Sequence, residues 1–142
     1  MSVSVDDNGS LAHVVDSWNY AAGSGIHGLA LKSSSSELLY SADLNGDAIW
    51  THNVSPDNGR ATLVGKHTVK AGSHPRHLAL HPNGKHLYAV MEAGNRVAAY
   101  SIDVSTGAVI HESSTFSLIP TGPSTPPSPR PMAHSIPTPY HR

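Results

Sequence analysis

The strongest constraint on the fold is an internal repeat of about 48 residues. The segment that starts at Ile26 aligns with the segment that starts at Pro75, so that the Leu-Ala-Leu run of residues 29–31 falls on that of residues 78–80. After a deletion of one residue, Tyr40 falls on Tyr88 and the later glycines stay in step. The first residues of the chain resemble the end of the same unit. The chain therefore holds two full repeats preceded by the back half of another.

Each repeat is predicted to form four short strands separated by turns. The turn signals of the second repeat are His-Pro-Asn-Gly at residues 81–84, Ala-Gly-Asn at 93–95 and Ser-Thr-Gly at 105–107. A four-stranded antiparallel unit that recurs at this interval is typical of a β-propeller blade, and a small β-sandwich is the alternative. The strands expected in the second repeat are Arg76–Leu80, His86–Met91, Arg96–Ile102 and Val109–Phe116.

We therefore predict an all-β chain with about two and a half propeller blades. Residues 1–119 form the partial propeller, with a half blade at 1–22 and blades at 23–71 and 72–119. A propeller closes with about four to eight blades, so we expect the chain to be a fragment of a seven-bladed ring. Eight of the 11 prolines lie in residues 120–142, which predicts a disordered Pro-rich tail or, alternatively, a motif for a proline-binding module.

Composition excludes several classes of function. The formal net charge is −1 and charged residues make up 13% of the chain, so no basic surface for nucleic acid is expected. No apolar run approaches the roughly 20 residues of a membrane helix, and the N-terminus lacks the pattern of a secretory signal. Without cysteine the chain has no disulfide, thiolate metal site or cysteine nucleophile. A cytoplasmic location fits these features.

The 11 histidines raise the question of a metal site. His77 and His81 are four residues apart on a predicted strand, which separates them by about 13 Å, so they cannot chelate one ion as helical residues do. His81 belongs to a turn, where its side chain is expected to be solvated. Neither a phosphate-binding loop nor a nucleophile elbow is present in the sequence. We therefore expect no metal and no bound cofactor.

Residues 3–122 resemble the seven-bladed lactonase-type propellers, which include bacterial 6-phosphogluconolactonases and fungal carboxy-cis,cis-muconate cyclases. The segment Gly72–Asp103 carries the pattern that is widespread in that superfamily. Four stretches are more similar to the fungal cyclases: GIHGLAL at residues 25–31, LYSADLNGDAIWTH at 39–52, LYAVMEAGNRV at 87–97 and FSLIPTG at 116–122. The resemblance does not extend into the Pro-rich tail.

The resemblance implies a cofactor-independent isomerase, an intramolecular lyase of protocatechuate catabolism in the β-ketoadipate pathway. Its reaction converts 3-carboxy-cis,cis-muconate to 3-carboxymuconolactone, which requires cations for the carboxylates, a proton donor and stabilisation of enolate-like charge. Matched by motif, the family's active-site residues are His27, Arg76 and Glu92. A second family arginine is expected in a later blade, outside these 142 residues.

The residues themselves give some support to these assignments. His27 and Arg76 occupy equivalent repeat positions, each two residues before an apolar strand, and inner strands of neighbouring blades face one channel. Arg76 offers a rigid fork of donors for a carboxylate, and Glu92 follows the next strand. The alternatives are a structural hydrogen bond for His27, a carboxylate partner in the neighbouring blade for Arg76 and an ordinary turn position for Glu92.

Two other functions stay open at this stage. A 6-phosphogluconolactonase-like hydrolase would bind a sugar phosphate in the same basic channel, and a non-catalytic propeller module would only bind partners. The expected partner of the enzyme is a small polycarboxylate substrate, with neither nucleic acid nor membrane involved. A homo-oligomer is one arrangement that would complete the ring.

Overall fold

The computed structural model describes residues 1–33, 37–120 and 122. Within these residues every regular element is a strand, and no helix has the length and hydropathy of a membrane span. Apart from residues 120 and 122, the predicted Pro-rich tail lies outside the described residues. In chain order the strands are β1 (Ser2–Val5), β2 (Leu11–Asp16), β3 (Ile26–Lys32), β4 (Glu37–Asp43), β5 (Ala48–Val54), β6 (Ala61–Thr68), β7 (Pro75–Leu80), β8 (His86–Met91), β9 (Arg96–Ile102) and β10 (Val109–Ser117).

The strands form one hairpin and two four-stranded antiparallel sheets. β1 pairs with β2, the first sheet has the order β3-β4-β5-β6, and the second has the order β7-β8-β9-β10. Each sheet is a simple meander because short turns connect consecutive antiparallel strands. The prediction of four strands per repeat is confirmed: β8 and β9 have the predicted bounds, β7 begins one residue earlier and β10 ends one residue later.

The core lies between the facing surfaces of the two four-stranded sheets. Along β8 buried residues alternate with less buried ones, as expected for a strand with one face against a neighbouring sheet. The Tyr40 hydroxyl crosses this core and donates a hydrogen bond of 2.8 Å to the Gly107 carbonyl. Burial raises the pKa of Tyr40 to about 12. The buried core residues are Leu38, Tyr40, Ile49, Val69, Leu87, Ala89, Met91, Ala98, Tyr100 and Ile102.

The segment between β2 and β3 lies over the other face of the first sheet. Tyr20 packs edge-on against both Trp50 and His52, with ring centroids 5.5 Å apart in each pair. Its hydroxyl donates a 2.8 Å hydrogen bond to the Ser41 hydroxyl. The indole ring of Trp18 lies 5.5 Å from the imidazole ring of His52. This aromatic layer covers the face of the first sheet on which the polar residues Ser41 and His52 are buried.

One surface of the second sheet is open, although the corresponding surface of the first sheet is packed against a neighbour. Tyr40 and Ile49 of the first sheet are buried against the second sheet, whereas their repeat equivalents, Tyr88 and Val97, border an open apolar cavity of about 240 Å³. The surface of the second sheet that faces away from the first is called the open face below. Its cavity is lined by His77, Leu78, Ala79, Tyr88, Val90 and Val97.

Candidate active site

The three site residues predicted from the sequence lie together at one end of the two sheets. His27 is near the start of β3, Arg76 near the start of β7, and Glu92 directly after β8. The Arg76 Nε–H donates to His27 Nε2 at 3.0 Å, and Arg76 Nη1 lies 3.4 Å from Glu92 Oε1. Because β8 is antiparallel to β7, its end returns to the place where β7 begins. The guanidinium therefore bridges an imidazole of one sheet and a carboxylate of the other.

Close approach of the two inner strands makes this contact possible. A Cβ atom on Gly28 would overlap the Arg76 carbonyl oxygen and come within 3.0 Å of the His77 Cα atom. Only glycine leaves room for the backbones of β3 and β7 to approach this closely. The glycine that follows His27 therefore sets the distance between the imidazole and the guanidinium.

The hydrogen bond from Arg76 fixes the tautomer of His27. Since Nε2 accepts the Arg76 proton, the neutral ring carries its own proton on Nδ1. His77 packs edge-on against the same ring, with centroids 5.0 Å apart and planes at 87°. His27 is thus oriented by a cation at one edge and by a second imidazole. Sequence reasoning considered His77 only as a metal ligand and missed this contact.

The pair formed by Arg76 and Glu92 is open to solvent. The side chains are 41% and 48% exposed, respectively, and the single nitrogen–oxygen contact is long. Exposed ion pairs of this kind contribute about 0–1 kcal/mol to stability. The guanidinium can therefore exchange Glu92 for an incoming carboxylate at small energetic cost.

Asp43 anchors the loop before His27. Its buried carboxylate accepts hydrogen bonds from the Gly25 N–H at 2.8 Å, the Gly46 N–H at 2.9 Å, the Ser24 hydroxyl at 2.6 Å and the Trp50 indole N–H at 3.0 Å. Burial acts to raise the pKa of Asp43, but the hydrogen bonds outweigh it and the pKa lies below its ordinary value. Among the residues that the structure describes, no cation pairs with this buried carboxylate, which is stabilised by four donors.

Asp47 holds the corresponding loop before Arg76. Its carboxylate accepts the N–H groups of Gly72 at 2.6 Å and His74 at 2.8 Å. The sequence analysis did not single out either aspartate, and the signal that could have identified them is their position at the same sheet end as His27. Sequence reasoning therefore found the groups that face solvent and missed the two that support them.

A second charged cluster lies between the outer strands of the two sheets. Arg96 Nη1 is 2.6 Å from Glu112 Oε1, and the Tyr100 hydroxyl donates to Glu112 Oε2 at 3.2 Å. Burial, together with the neighbouring Glu112, raises the pKa of Tyr100. The His67 ring lies 5.2 Å from Tyr100, and burial lowers the pKa of His67. The contact between His67 and Tyr100 joins β6 to the second sheet.

The part of the chain that the structure describes contains no group of three or more histidine and acidic side chains that could hold a metal ion. The candidate site itself brings together one guanidinium, one imidazole and one carboxylate. These groups can bind an anion, transfer a proton and stabilise developing negative charge.

Comparisons with known proteins agree with this architecture. Residues 3–129 match the family described as "Lactonase, 7-bladed beta-propeller". The chain is 41% identical over 120 residues to the carboxy-cis,cis-muconate cyclase of Neurospora crassa, which covers 84% of this chain and 32% of that protein. It is 32% identical over 69 residues to the 6-phosphogluconolactonase of Bacillus subtilis, covering 49% of this chain and 19% of that protein.

A solved structure shares the fold at lower sequence identity. A protein from Lactobacillus plantarum superposes with a TM-score of 0.72 at 26% identity, over 84% of this chain and 36% of that chain. The chain thus spans about a third of the length of the Neurospora relative and of this structure.

Proposed function

The chain belongs to the lactonase family of seven-bladed β-propellers, and we propose that it carries part of the active site of a 3-carboxy-cis,cis-muconate cyclase. The observation that carries this proposal is the direct contact of His27, Arg76 and Glu92 at one end of two adjacent inner strands. The 41% identity to the Neurospora cyclase over most of the chain supports the same reaction.

In the proposed reaction, one carboxylate of the substrate adds to a conjugated double bond within the same molecule. A carbon–oxygen bond forms at one carbon of the double bond. The π electrons move away from that carbon and are held as enolate-like charge by the adjacent carboxyl group. The carbon next to the new bond then takes a proton. Atoms and electrons balance without an oxidant, a reductant or a cofactor. The reaction needs a cation at the carboxylate, a proton donor and a place for the transient negative charge.

Arg76 is the proposed carboxylate ligand. Its planar fork of donors suits a carboxylate, and its bond to Glu92 is long and solvent-exposed. A substrate carboxylate that replaces Glu92 would leave that acid beside the reacting atoms. His27 and Glu92 are then the two candidates for proton donor, and either must first take up a proton, His27 on Nε2 once Arg76 turns to the substrate carboxylate.

A lactone hydrolase is the second candidate. It is favoured by the relative named 6-phosphogluconolactonase in Bacillus subtilis, which shares 32% identity over 69 residues. A sugar phosphate would require the guanidinium to bind a phosphate in place of a carboxylate, which the same donor geometry allows. The two candidates differ in substrate and in net reaction, since a hydrolase consumes water and a cyclase does not.

We further propose that the two four-stranded sheets are consecutive blades, at residues 23–71 and 72–119, and that residues 1–22 belong to a preceding blade. The equivalence of repeat positions supports this, because Tyr40 packs against the second sheet and Tyr88 is presented in the same way on the open face. In the active protein, a further sheet would cover the open face as the second sheet covers the first.

The test uses a chimera in which residues 3–122 replace the matching third of the Neurospora cyclase. Turnover of 3-carboxy-cis,cis-muconate and of 6-phosphogluconolactone is measured separately. Turnover of the muconate supports the cyclase, turnover of the lactone supports the hydrolase, and a folded chimera active on neither refutes both.

Variants of the chimera then test the roles of the three residues. Arg76→Ala should raise KM for the muconate by about 10–100-fold, because a charged hydrogen bond contributes roughly 1.5–3 kcal/mol. His27→Ala and Glu92→Gln should lower kcat by about 10²–10⁴-fold for whichever group transfers the proton. Near-normal turnover in both His27→Ala and Glu92→Gln would remove the proposed acid–base pair.

Matched controls come from residues of the same types away from the site. Arg60 is exposed between β5 and β6, His111 is exposed on β10, and Glu37 begins β4 at the opposite end of the sheet. Arg60→Ala, His111→Ala and Glu37→Gln should leave both KM and kcat within about twofold of the parent, since surface substitutions rarely disturb a distant site. A loss of activity in these controls would show that the chimera is merely unstable.

A further inference from the structure

Asp47 connects the turn of one sheet to the loop that leads into the active strand of the next. It is the last residue of the β4–β5 turn of the first sheet, and its two carboxylate oxygens separately accept the N–H groups of Gly72 and His74. His74 stands two residues before Arg76 and is itself bonded to the site, because its carbonyl accepts the Glu92 N–H at 2.9 Å. The loop is therefore held from both sheets just before the guanidinium.

The backbone at both ends of this contact lies in a conformation that side chains disfavour. Asp47 has a φ of 44° and His74 a φ of 53°, in the left-handed region where residues other than glycine are uncommon. Such conformations persist only where surrounding contacts impose them, and they are concentrated at functional sites. The hydrogen bond from the His74 N–H to Asp47 is one contact that holds His74 in this conformation.

The second repeat shows which feature of Asp47 the turn requires, because it has the same turn with a different residue at this position. Asn95 is the repeat equivalent of Asp47 and has the same backbone, with a φ of 47°. The Asn95 carbonyl accepts the Leu118 N–H at 2.8 Å, as the Asp47 carbonyl accepts the Val69 N–H at 2.9 Å. An amide therefore suffices for the turn, and the carboxylate of Asp47 serves the bonds to the next sheet.

We propose that Asp47 is a positioning residue that fixes the Arg76 guanidinium against His27 by holding the loop of residues 72–74. The neighbouring sheet, through Asp47, then helps to set the geometry at which the cation meets a substrate carboxylate. This inference rests on the proposed function for its catalytic meaning, but the geometry it predicts can be measured without turnover. The backbone hydrogen bonds also keep the pKa of Asp47 below its ordinary value although burial acts to raise it, so the carboxylate is charged at neutral pH.

The test is made first on the 142-residue chain with ¹⁵N-labelled histidine. NMR of the His27 ring reports whether Nε2 accepts a hydrogen bond from Arg76, and the Arg76→Ala variant gives the reference for its loss. Asp47→Ala should move the His27 Nε2 resonance toward the position found in Arg76→Ala. Asp47→Asn, which keeps one acceptor oxygen, should give an intermediate position. Asp57→Ala removes an exposed aspartate from the β5–β6 turn and should leave the resonance unchanged.

Two results would overturn the proposal. One is a His27 resonance that stays at its parental position in Asp47→Ala while Arg76→Ala moves it. The other is a change of the same size at His111, which lies on β10, because Asp47 would then support the fold in general and not the site.

The same variants in the chimera give a second and independent measurement. Asp47→Ala should lower kcat/KM by up to about 100-fold through misplacement of Arg76, with partial rescue in Asp47→Asn. Combined with Arg76→Ala it should cause little further loss, because the two act through one group. Full additivity of the two losses would overturn the proposal. A parent chimera without turnover would instead refute the proposed function, and the NMR result would then decide the positioning role alone.

Discussion

Replacement of Asp43 by asparagine tests how the loop before His27 is held. The Asp43 carboxylate accepts two backbone N–H groups on Oδ1 and the Ser24 hydroxyl and Trp50 indole N–H on Oδ2. Asparagine can keep its oxygen toward the two backbone donors, and the Ser24 hydroxyl can rotate to accept. The new NH₂ group then faces the buried Trp50 N–H, so that two donors meet without an acceptor.

The expected loss of stability follows from this single changed contact. A hydrogen bond to a charged group contributes about 1.5–3 kcal/mol, and a buried donor without a partner costs about 1–3 kcal/mol. We therefore expect Asp43→Asn to lower the free energy of unfolding by about 2–3 kcal/mol. With a urea slope of roughly 1–3 kcal/mol/M, the midpoint should fall by about 0.7–3 M.

Urea unfolding of the 142-residue chain, followed by circular dichroism, measures this loss. Trp50→Phe removes the donor that asparagine cannot satisfy, so Asp43→Asn should cost less in the Trp50→Phe background than in the parent. Asp103→Asn is the matched control, because the donors to that carboxylate among the described residues are Ser105 and Thr106 of its own exposed turn. A loss below about 0.5 kcal/mol in Asp43→Asn, or simple additivity with Trp50→Phe, would refute the reasoning.

The pH dependence of stability gives a further check on Asp43. Its pKa in the folded chain lies below the ordinary aspartate value of about 3.9, so the unfolded chain binds the proton more readily. The stabilisation is therefore complete at neutral pH and is lost as the pH falls below about 4. The difference in stability between parent and Asp43→Asn should shrink over that acid range, and a constant difference would contradict the assignment.

Three other substitutions have expected outcomes that follow from packing. Gly107→Ala should lower the free energy of unfolding, measured in urea, by roughly 2 kcal/mol or more. The reason is that the φ of Gly107 is 79° and that the new Cβ would overlap the Leu38 side chain. Gly65→Ala is the control, because the space around its Cβ is open. Gly28→Ala should force β3 away from β7 and break the His27 hydrogen bond seen by NMR, and an unchanged spectrum would contradict the close-approach argument. Val97→Arg places a charge on the open face and should therefore reduce concentration-dependent self-association in sedimentation velocity. A parent chain that is monodisperse at all concentrations would count against self-association through the open face.

The sequence determined the strands and the neighbourhood of the site. Alternation of apolar residues and turn signals is local information, so β8 and β9 could be predicted to the residue. The repeat also carried information over 49 residues, because equivalent positions in successive units lie at the same end of their sheets. That is why the repeat supported the expectation, taken from the family resemblance, that His27 and Arg76 face one channel, although their catalytic roles stay predictions.

The tertiary structure alone decided which contacts those residues make and what supports them. Asp43 and Asp47 look like ordinary turn aspartates in the sequence, and the donors that define them include groups 18 and 27 residues away. The closeness of β3 and β7 depends on the missing Cβ of Gly28 against a backbone that only packing brings near it. A strand can be predicted from the sequence because the residues that determine its conformation lie within a few positions of one another. Hydrogen bonds between two sheets depend on how the surfaces of the sheets fit together, so they are seen only in the folded structure.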